Sequence, residues 1–111
     1  MKHKPEPNTP AACMADAMDT FVERGKVYGE AYKQFGPIMM ALFPNGIVLK
    51  SADDWNRYSC LHMEVAKLAR YCQNFSTGHI DSQHDLCVYA AMLESLDREA
   101  EAERSDNGVP V

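Results

Sequence analysis

The sequence predicts an all-α domain, a compact bundle of three or four helices with short connections. Three observations support this fold class. Apolar residues recur at intervals of three and four over several long stretches, as they do on one face of an amphipathic helix. The stretch "GIVL" is the only segment that favours a strand. The chain has 111 residues and no internal repeat, which suits one domain rather than two.

The first predicted helix begins at Thr9 and ends near Gly25. Thr9 can serve as the N-cap, and Pro10 occupies the first helical position, where its missing N–H costs nothing. Glycine is a typical residue at the end of a helix. Residues 1–8 carry two prolines and charges without periodicity, so we expect a disordered arm there. The apolar stripe of this helix consists of Ala11, Met14, Met18, Phe21 and Val22.

The middle of the chain allows two structures. Apolar residues keep helical spacing here, but Gly36 and Pro37 interrupt them. A proline inside a helix removes one hydrogen bond and disfavours helix at the residue before it. The alternatives are a short helix from about Pro37 to Phe43, preceded by a turn, and one kinked helix. In both cases the segment Pro44-Asn45-Gly46 ends the helix.

The third helix has the clearest signals. Ser51 and Asp54 resemble a capping box with Asp in place of Glu. The main apolar stripe consists of Trp55, Tyr58, Leu61, Val65, Leu68 and Cys72. The opposite side carries Cys60, Met63, Lys67, Arg70 and Tyr71. This second face is half apolar and half basic, and it is either a solvated surface or a face for a dimer or a ligand.

The last predicted helix begins near Asp81 or Ser82. Its apolar stripe consists of Leu86, Tyr89, Ala90, Leu93 and Leu96. Residues 101–111 are acidic and without an apolar stripe, so we expect a flexible tail there. The predicted organisation is therefore an arm at 1–8, a helical domain at 9–100 and an acidic tail at 101–111.

Composition excludes several classes of function. The formal charge of −5 makes the chain a poor candidate for non-specific nucleic-acid binding. No apolar run approaches the ~20 residues that a membrane span requires, and the start "MKHKPEPNTP" lacks the apolar part of a signal peptide. The cysteines at 13, 60, 72 and 87 show no CxxC spacing, so a thiolate zinc site is not expected. We expect free core thiols in a reducing cytoplasm.

The stretch "HIDSQHDLCVYAAML", residues 79–93, contains the main candidate site. Asp81 and Asp85 are four apart and share a helical face. Asp85 borders the apolar stripe, so we expect it to be partly buried and to need a cation or a hydrogen-bond donor. Glu64 on the preceding helix could join these carboxylates around Mg²⁺. Helix capping also explains them, with Asp81 as an N-cap and Asp85 in the first turn.

Other polar residues give weaker signals. Lys67 and Arg70 are three apart on one face, a spacing that could bind a phosphate, and a solvated pair is the alternative. His62 lies near the apolar stripe, where hydrogen bonding is more common than metal binding. His79 and His84 are five apart and do not share a face. The chain has no GxSxG motif and no Gly-rich phosphate loop, so no catalytic residue is assigned.

Three segments, "ERGKVYGEAYKQF", "EVAKLAR" and "HIDSQHDLCVYAAML", resemble a set of small helical proteins common in phages and prophages. Some of these proteins resemble the MazG-type all-α nucleotide pyrophosphohydrolases, and others resemble the nucleotide-modification-associated phage families. The resemblance covers residues 23–95. The matching positions are Arg24, Tyr28, Gly29, Phe35, Lys67, Arg70, Asp81, Asp85 and Tyr89.

The resemblance implies a helical pocket for a nucleotide or a nucleotide-derived small molecule. The ligand-binding residues that it implies are Arg24, Tyr28, Lys67, Arg70 and Tyr89. The Mg²⁺ ligands would be Glu64, Asp81 and Asp85. MazG-type enzymes hold Mg²⁺ with an ExxE and an ExxD motif. Here Lys67 stands three residues after Glu64, so ExxE becomes ExxK, and Asp81 and Asp85 are four apart instead of three. With fewer carboxylates we expect weaker Mg²⁺ binding.

We therefore expect a cytoplasmic homo-oligomer that binds a nucleotide-like small molecule and is a degenerate member of the pyrophosphohydrolase type. The second, half-apolar face of the third helix supports the expected oligomer. The alternative function is a non-enzymatic phage inhibitor or adaptor. Such a protein would bind a host defence protein through an acidic, Met-rich surface.

Overall fold

The computed structural model describes residues 6–28 and 31–106, without the side chains of residues 27, 28 and 31. These ranges contain four α-helices, α1 (Pro10–Tyr28), α2 (Phe35–Leu42), α3 (Ala52–Gln73) and α4 (Ile80–Asp106), with a 3₁₀ helix at Ala31–Lys33. The all-α prediction is confirmed, and the "GIVL" segment is irregular. The described residues fall into two units, one up to Pro37 and one from Ile38 onward.

The start of α1 agrees with the predicted cap. The Thr9 hydroxyl accepts a hydrogen bond from the Ala12 N–H at 3.2 Å, and the proline after Thr9 is the first helical residue. The Thr9 N–H and hydroxyl both donate to the Glu6 carbonyl, at 3.2 and 2.8 Å. The end of the predicted arm therefore forms a turn that leads into the helix. Residues 1–5 lie outside the described part of the chain.

The predicted end of α1 at Gly25 is wrong, because α1 continues to Tyr28. A glycine inside a helix costs only about 1 kcal/mol relative to alanine. Lys26 lies in the last turn of α1, where a cation complements the helix dipole, and its ammonium pairs with Glu23 at 3.0 Å. These local interactions oppose the tendency of the glycine to end the helix.

Of the two structures that the middle of the chain allowed, the short helix preceded by a turn is the one that forms. α2 begins two residues before Pro37, so this proline lies in the first turn, where a backbone N–H has no helical acceptor. After α2 the chain turns at Gly46, which has a φ of 74°. Its N–H donates to the Phe43 carbonyl at 2.9 Å. A glycine is favoured there because its backbone is left-handed.

The capping box of α3 is confirmed. The Asp54 N–H donates to the Ser51 hydroxyl at 3.0 Å, and the Ser51 N–H donates to the Asp54 carboxylate at 3.1 Å. The Lys50 N–H donates to the same carboxylate at 3.0 Å. The hydrogen bonds from Lys50 and Ser51 favour the ionised form and lower the pKa of the Asp54 carboxyl.

α4 is longer than the sequence predicts. It begins at Ile80 and continues to Asp106, so the predicted flexible tail is helical over residues 101–106. The first four of these residues, Glu-Ala-Glu-Arg, have high helix propensity. One turn before it, Arg98 pairs with Glu94 at 2.7 Å. Hydrophobic periodicity could not show this extension, because the added residues are exposed on every side.

Few apolar side chains are buried. Among the described residues, the buried hydrophobic ones are Ala12 and Val65, at 8% and 6% exposure. Trp55 and Leu68 belong to the predicted stripe of α3, yet they are 55% and 53% exposed. The four cysteines are free, as predicted, but Cys60 is half-buried and the other three are exposed. The prediction that they are core thiols is therefore wrong.

Candidate functional site

α3 and α4 form an antiparallel hairpin, and an ion pair joins the two helices near its connecting loop. The Lys67 ammonium lies 3.0 Å from the Asp85 carboxylate. The Lys67 side chain is 19% exposed and the Asp85 side chain 44%. The pair confirms that Asp85 is partly buried and faces a cation of the preceding helix. Nothing on α4 alone could show this contact, since its partner is 18 residues away in the sequence.

A second ion pair joins the same helices near the other end of the hairpin. Arg57 Nε donates to Asp97 Oδ1 at 2.9 Å, and both side chains are about half exposed. An early residue of α3 thus contacts a late residue of α4, which gives the antiparallel register. The two ion pairs are similar in geometry and differ in burial. We call Lys67–Asp85 the inner pair and Arg57–Asp97 the outer pair. Because the outer pair is more exposed, it serves as a control for the inner pair.

His79 caps α4, which corrects the prediction that Asp81 is the N-cap. His79 Nδ1 accepts a hydrogen bond from the Ser82 N–H at 3.2 Å and lies 2.6 Å from the Ser82 hydroxyl. The His79 carbonyl also accepts from the Gln83 N–H at 3.4 Å. Asp81 lies in the first turn, where its charge complements the helix dipole. Sequence reasoning missed this cap because histidine is not among the common N-cap residues.

Ser82 is the most buried residue of the described chain, at 1% exposure. A buried hydroxyl needs a hydrogen-bond partner, and the imidazole of His79 supplies it. The polar stretch "HIDSQHD" is therefore the start of a helix, and His79 supplies the hydrogen-bond partner for the backbone N–H and the hydroxyl of Ser82. His62, the other histidine considered as a ligand, is exposed, and its ring lies edge-on to Tyr58 at 5.9 Å between centroids.

The residues proposed as Mg²⁺ ligands do not form a cluster. In the described ranges, no group of three His, Cys, Asp or Glu side chains is arranged to hold a metal ion. Asp85 faces Lys67, Asp81 is exposed in the first turn of α4, and Glu64 is half-buried on α3. The structure therefore shows an interhelical ion pair at the place where the sequence suggested a carboxylate site.

The proposed ligand-binding residues are divided between the two units. Lys67, Arg70 and Tyr89 belong to the hairpin, and Tyr89 is half-buried on α4. Arg70 is exposed one turn after Lys67, near the end of α3. Arg24 is exposed on α1 in the first unit, and the Tyr28 side chain lies outside the described residues. The hairpin thus contains three of the proposed ligand-binding residues, and two of them, Lys67 and Arg70, lie one turn apart on α3.

A groove of about 610 Å³ lies between α3 and α4. Its lining residues are small, polar or apolar and carry no charge: Asn56, Ser59, Cys60, Ala91, Met92, Ser95 and Leu96. Sequence reasoning noted Cys60 on the second face of α3 and Leu96 in the stripe of the last helix, but it missed Ala91 and Ser95. The available signal was weak, because small residues at 91 and 95 resemble any exposed helical surface until the partner helix is known.

The apolar stripe of α1 is open to solvent. Met14, Met18, Phe21 and Val22 are 72%, 68%, 62% and 52% exposed. Phe21 contacts Tyr32 edge-on, with 6.3 Å between ring centroids. An exposed apolar stripe of this kind is a feature of helices that bind other proteins.

Within the described ranges, no helix combines the length and the apolar character that crossing a bilayer requires. No protein-family model, no curated protein and no solved structure matches the chain.

Proposed function

We propose that the chain is a protein-interaction module that works as a homo-oligomer. The observation that supports this proposal is the exposure of apolar side chains on the hairpin. Val65 is the buried hydrophobic residue of the hairpin within the described ranges, while Val88 and Met92 on α4 are 46% and 47% exposed. Helices in globular proteins gain most of their stability by packing an apolar face. A second copy supplies the helical layer that a two-helix hairpin lacks.

The measurement for self-association is light scattering on the full chain after gel filtration, repeated over a dilution series. At ~10 µM we expect a particle of at least twice the chain mass, which dissociates on dilution. The physical reason is that removing apolar surface from water contributes about 25 cal/mol per Å². A strict monomer at every concentration would contradict the homo-oligomer.

The exposed α1 stripe supports a protein partner as well. Met14, Met18 and Phe21 are spaced as the anchors of a helix that binds in an apolar groove. Methionine suits such a surface, because its flexible side chain adapts to the partner. This is the adaptor or inhibitor function, and we propose a host protein as the partner. A phage or prophage origin belongs to this proposal and depends on the sequence resemblance. The proposed cytoplasmic location depends on the four free cysteines.

A nucleotide-like ligand is the second candidate function. Lys67 and Arg70 place two cations one turn apart on α3, and Asp85 holds Lys67 in position. The groove between α3 and α4 begins at Cys60, about two helical turns before Lys67, and its volume is typical of small-molecule sites. We propose that a phosphate would contact the two cations, since Arg and Lys are the usual phosphate ligands. If the chain is a degenerate pyrophosphohydrolase, the same site would hydrolyse a bound nucleoside triphosphate and release pyrophosphate.

A thermal-shift screen tests this candidate. The probes are nucleoside mono-, di- and triphosphates and inorganic phosphate, each with and without Mg²⁺. A ligand at 100 times its Kd stabilises the folded state by about 2.7 kcal/mol, so Tm should rise clearly. Arg70→Gln should reduce the shift, and Arg104→Gln in the last turn of α4 should not.

The Mg²⁺ arm examines the proposed ligands Glu64, Asp81 and Asp85. A shift that requires Mg²⁺ and is lost with Glu64→Gln would support a metal site formed with the ligand. Absence of a shift with every probe would contradict nucleotide binding and leave the protein-interaction function.

A further inference from the structure

One face of the α3–α4 hairpin carries two helical stripes, which we call the groove face. The stripe of α3 is Asn56, Cys60, Met63, Lys67 and Arg70, and the stripe of α4 is Asp81, Asp85, Val88, Met92, Ser95 and Glu99. Both follow intervals of three and four, which keep residues on one side of a helix. The groove between the helices contains members of both stripes, and the Lys67–Asp85 ion pair joins them.

The groove face has the composition of a protein interface. Its middle is apolar, with Met92 and Val88 47% and 46% exposed and Cys60 half-buried. Its ends are polar, with Asn56 and Glu99 at one end and charged residues beside the connecting loop. An apolar centre with a polar rim is the usual anatomy of an interface.

The size of the face is sufficient for a small interface. The stripe of α4 extends over 19 residues, a rise of about 27 Å, and two packed helices are about 18 Å wide. Each copy would therefore cover about 490 Å², and two copies about 1,000 Å², which is the lower limit for a specific interface.

The charges select one orientation. Beside the loop, the α3 stripe is basic, with Lys67 and Arg70, and the α4 stripe is acidic, with Asp81 and Asp85. A twofold axis parallel to the helices places α3 of one copy over α4 of the other, so that basic and acidic stripes face each other. A twofold axis across the helices would instead place α4 over α4 and bring Asp81 near Glu99. Like charges that face each other destabilise an interface, which disfavours the second orientation.

We propose that a second copy of this chain docks on the groove face about a twofold axis parallel to the helices, with Arg70 of each copy facing Asp81 of the other. This inference rests on the proposed self-association and adds its face and its orientation. The symmetric contact makes a four-helix bundle from two hairpins, in which α3 neighbours α4 of the other copy. A phosphate bound to Lys67 and Arg70 would compete with this contact.

The test uses Arg70→Asp and Asp81→Arg as two separate chains. Alone, each variant places like charges at both symmetry-related contacts, so its dimer dissociation constant should rise by about tenfold or more. Mixed in equal amounts, the two variants form a heterodimer in which both contacts join opposite charges, and the constant should return close to the wild-type value. If residues 70 and 81 interacted within one chain instead, mixing would restore nothing, because each variant chain would still carry two like charges.

The control for charge reversal is Arg104→Asp, which is exposed in the last turn of α4 outside the groove-face stripe and should leave the dissociation constant unchanged. If a charge reversal prevents folding, Met92→Lys and Ala90→Lys serve instead. Both sites are exposed on α4, and only the first should weaken the dimer.

Each outcome has one meaning. A monomeric wild type overturns the self-association itself. A wild-type dimer that tolerates both charge reversals and Met92→Lys overturns the groove face alone. Weakened single variants that mixing does not restore overturn the proposed orientation.

Discussion

Replacing Val65 with alanine should lower the free energy of unfolding by about 2 kcal/mol. Val65 is 6% exposed, so two methyl groups leave an apolar environment and a cavity remains. The measurement is urea denaturation of wild type and variant at the same protein concentration, because self-association adds to the apparent stability. A small domain has only 5–15 kcal/mol of stability in total, so this single change should be readily visible.

The matched control is Leu68→Ala on the same helix. Leucine is larger than valine, yet Leu68 is 53% exposed. We expect a loss below about 1 kcal/mol, because the deleted atoms are already largely in water. A larger loss for Leu68 than for Val65 would show that the exposed stripe of α3 is buried in solution, against another chain or elsewhere.

Changing Asp85 to asparagine should cost about 1–2 kcal/mol of stability. The loss arises because Lys67, at 19% exposure, keeps its charge and loses its ionised partner. The cost stays below the 3–5 kcal/mol of a fully buried pair, since the Asp85 side chain is 44% exposed and water can reach it. A first-turn aspartate without this partner would lose only about 0.5 kcal/mol from the dipole interaction.

The control for Asp85 is Asp97→Asn, which breaks the outer ion pair of the same two helices. Arg57 and Asp97 are 45% and 52% exposed, so the expected loss is about 0.2–1 kcal/mol. A double-mutant cycle with Lys67→Met separates the pair energy from the effect of each change alone. Equal losses of stability for Asp85→Asn and Asp97→Asn would refute the claim that the greater burial of Lys67 makes the inner pair contribute more. Unchanged stability combined with lost nucleotide binding would instead make Asp85 a ligand-site residue.

The helices were predictable where a local signal decides the structure. Thr9 and Ser51 cap α1 and α3 as expected, because an N-cap needs only a side chain and a backbone N–H three residues away. The ends of α1 and α4 were not predictable in this way. Gly25 favours a stop and residues 101–106 lack an apolar stripe, yet both are helical. Helix ends depend on sums of small local terms that no single residue reveals.

The candidate site was predictable only in part. The sequence indicated that Asp85 needs a cation or a hydrogen-bond donor, and in the structure the ammonium of Lys67 is that cation. The role of His79 was missed, and the suggested carboxylate group with Glu64 does not form a cluster within the described residues. Whether two side chains on different helices meet depends on the register of the helices, which periodicity does not specify.

The sequence by itself determined the fold class, the capping of α1 and α3 and the positions of the apolar stripes, since these follow from spacing and local hydrogen bonding. The tertiary structure alone decided which stripes are covered. Packing of α3 on α4 paired Lys67 with Asp85, created the groove beside Cys60 and Met92, and left Trp55 and Leu68 exposed. The physical reason is that burial depends on which helices pack together, and the spacing of apolar residues in one helix does not specify which helix covers them.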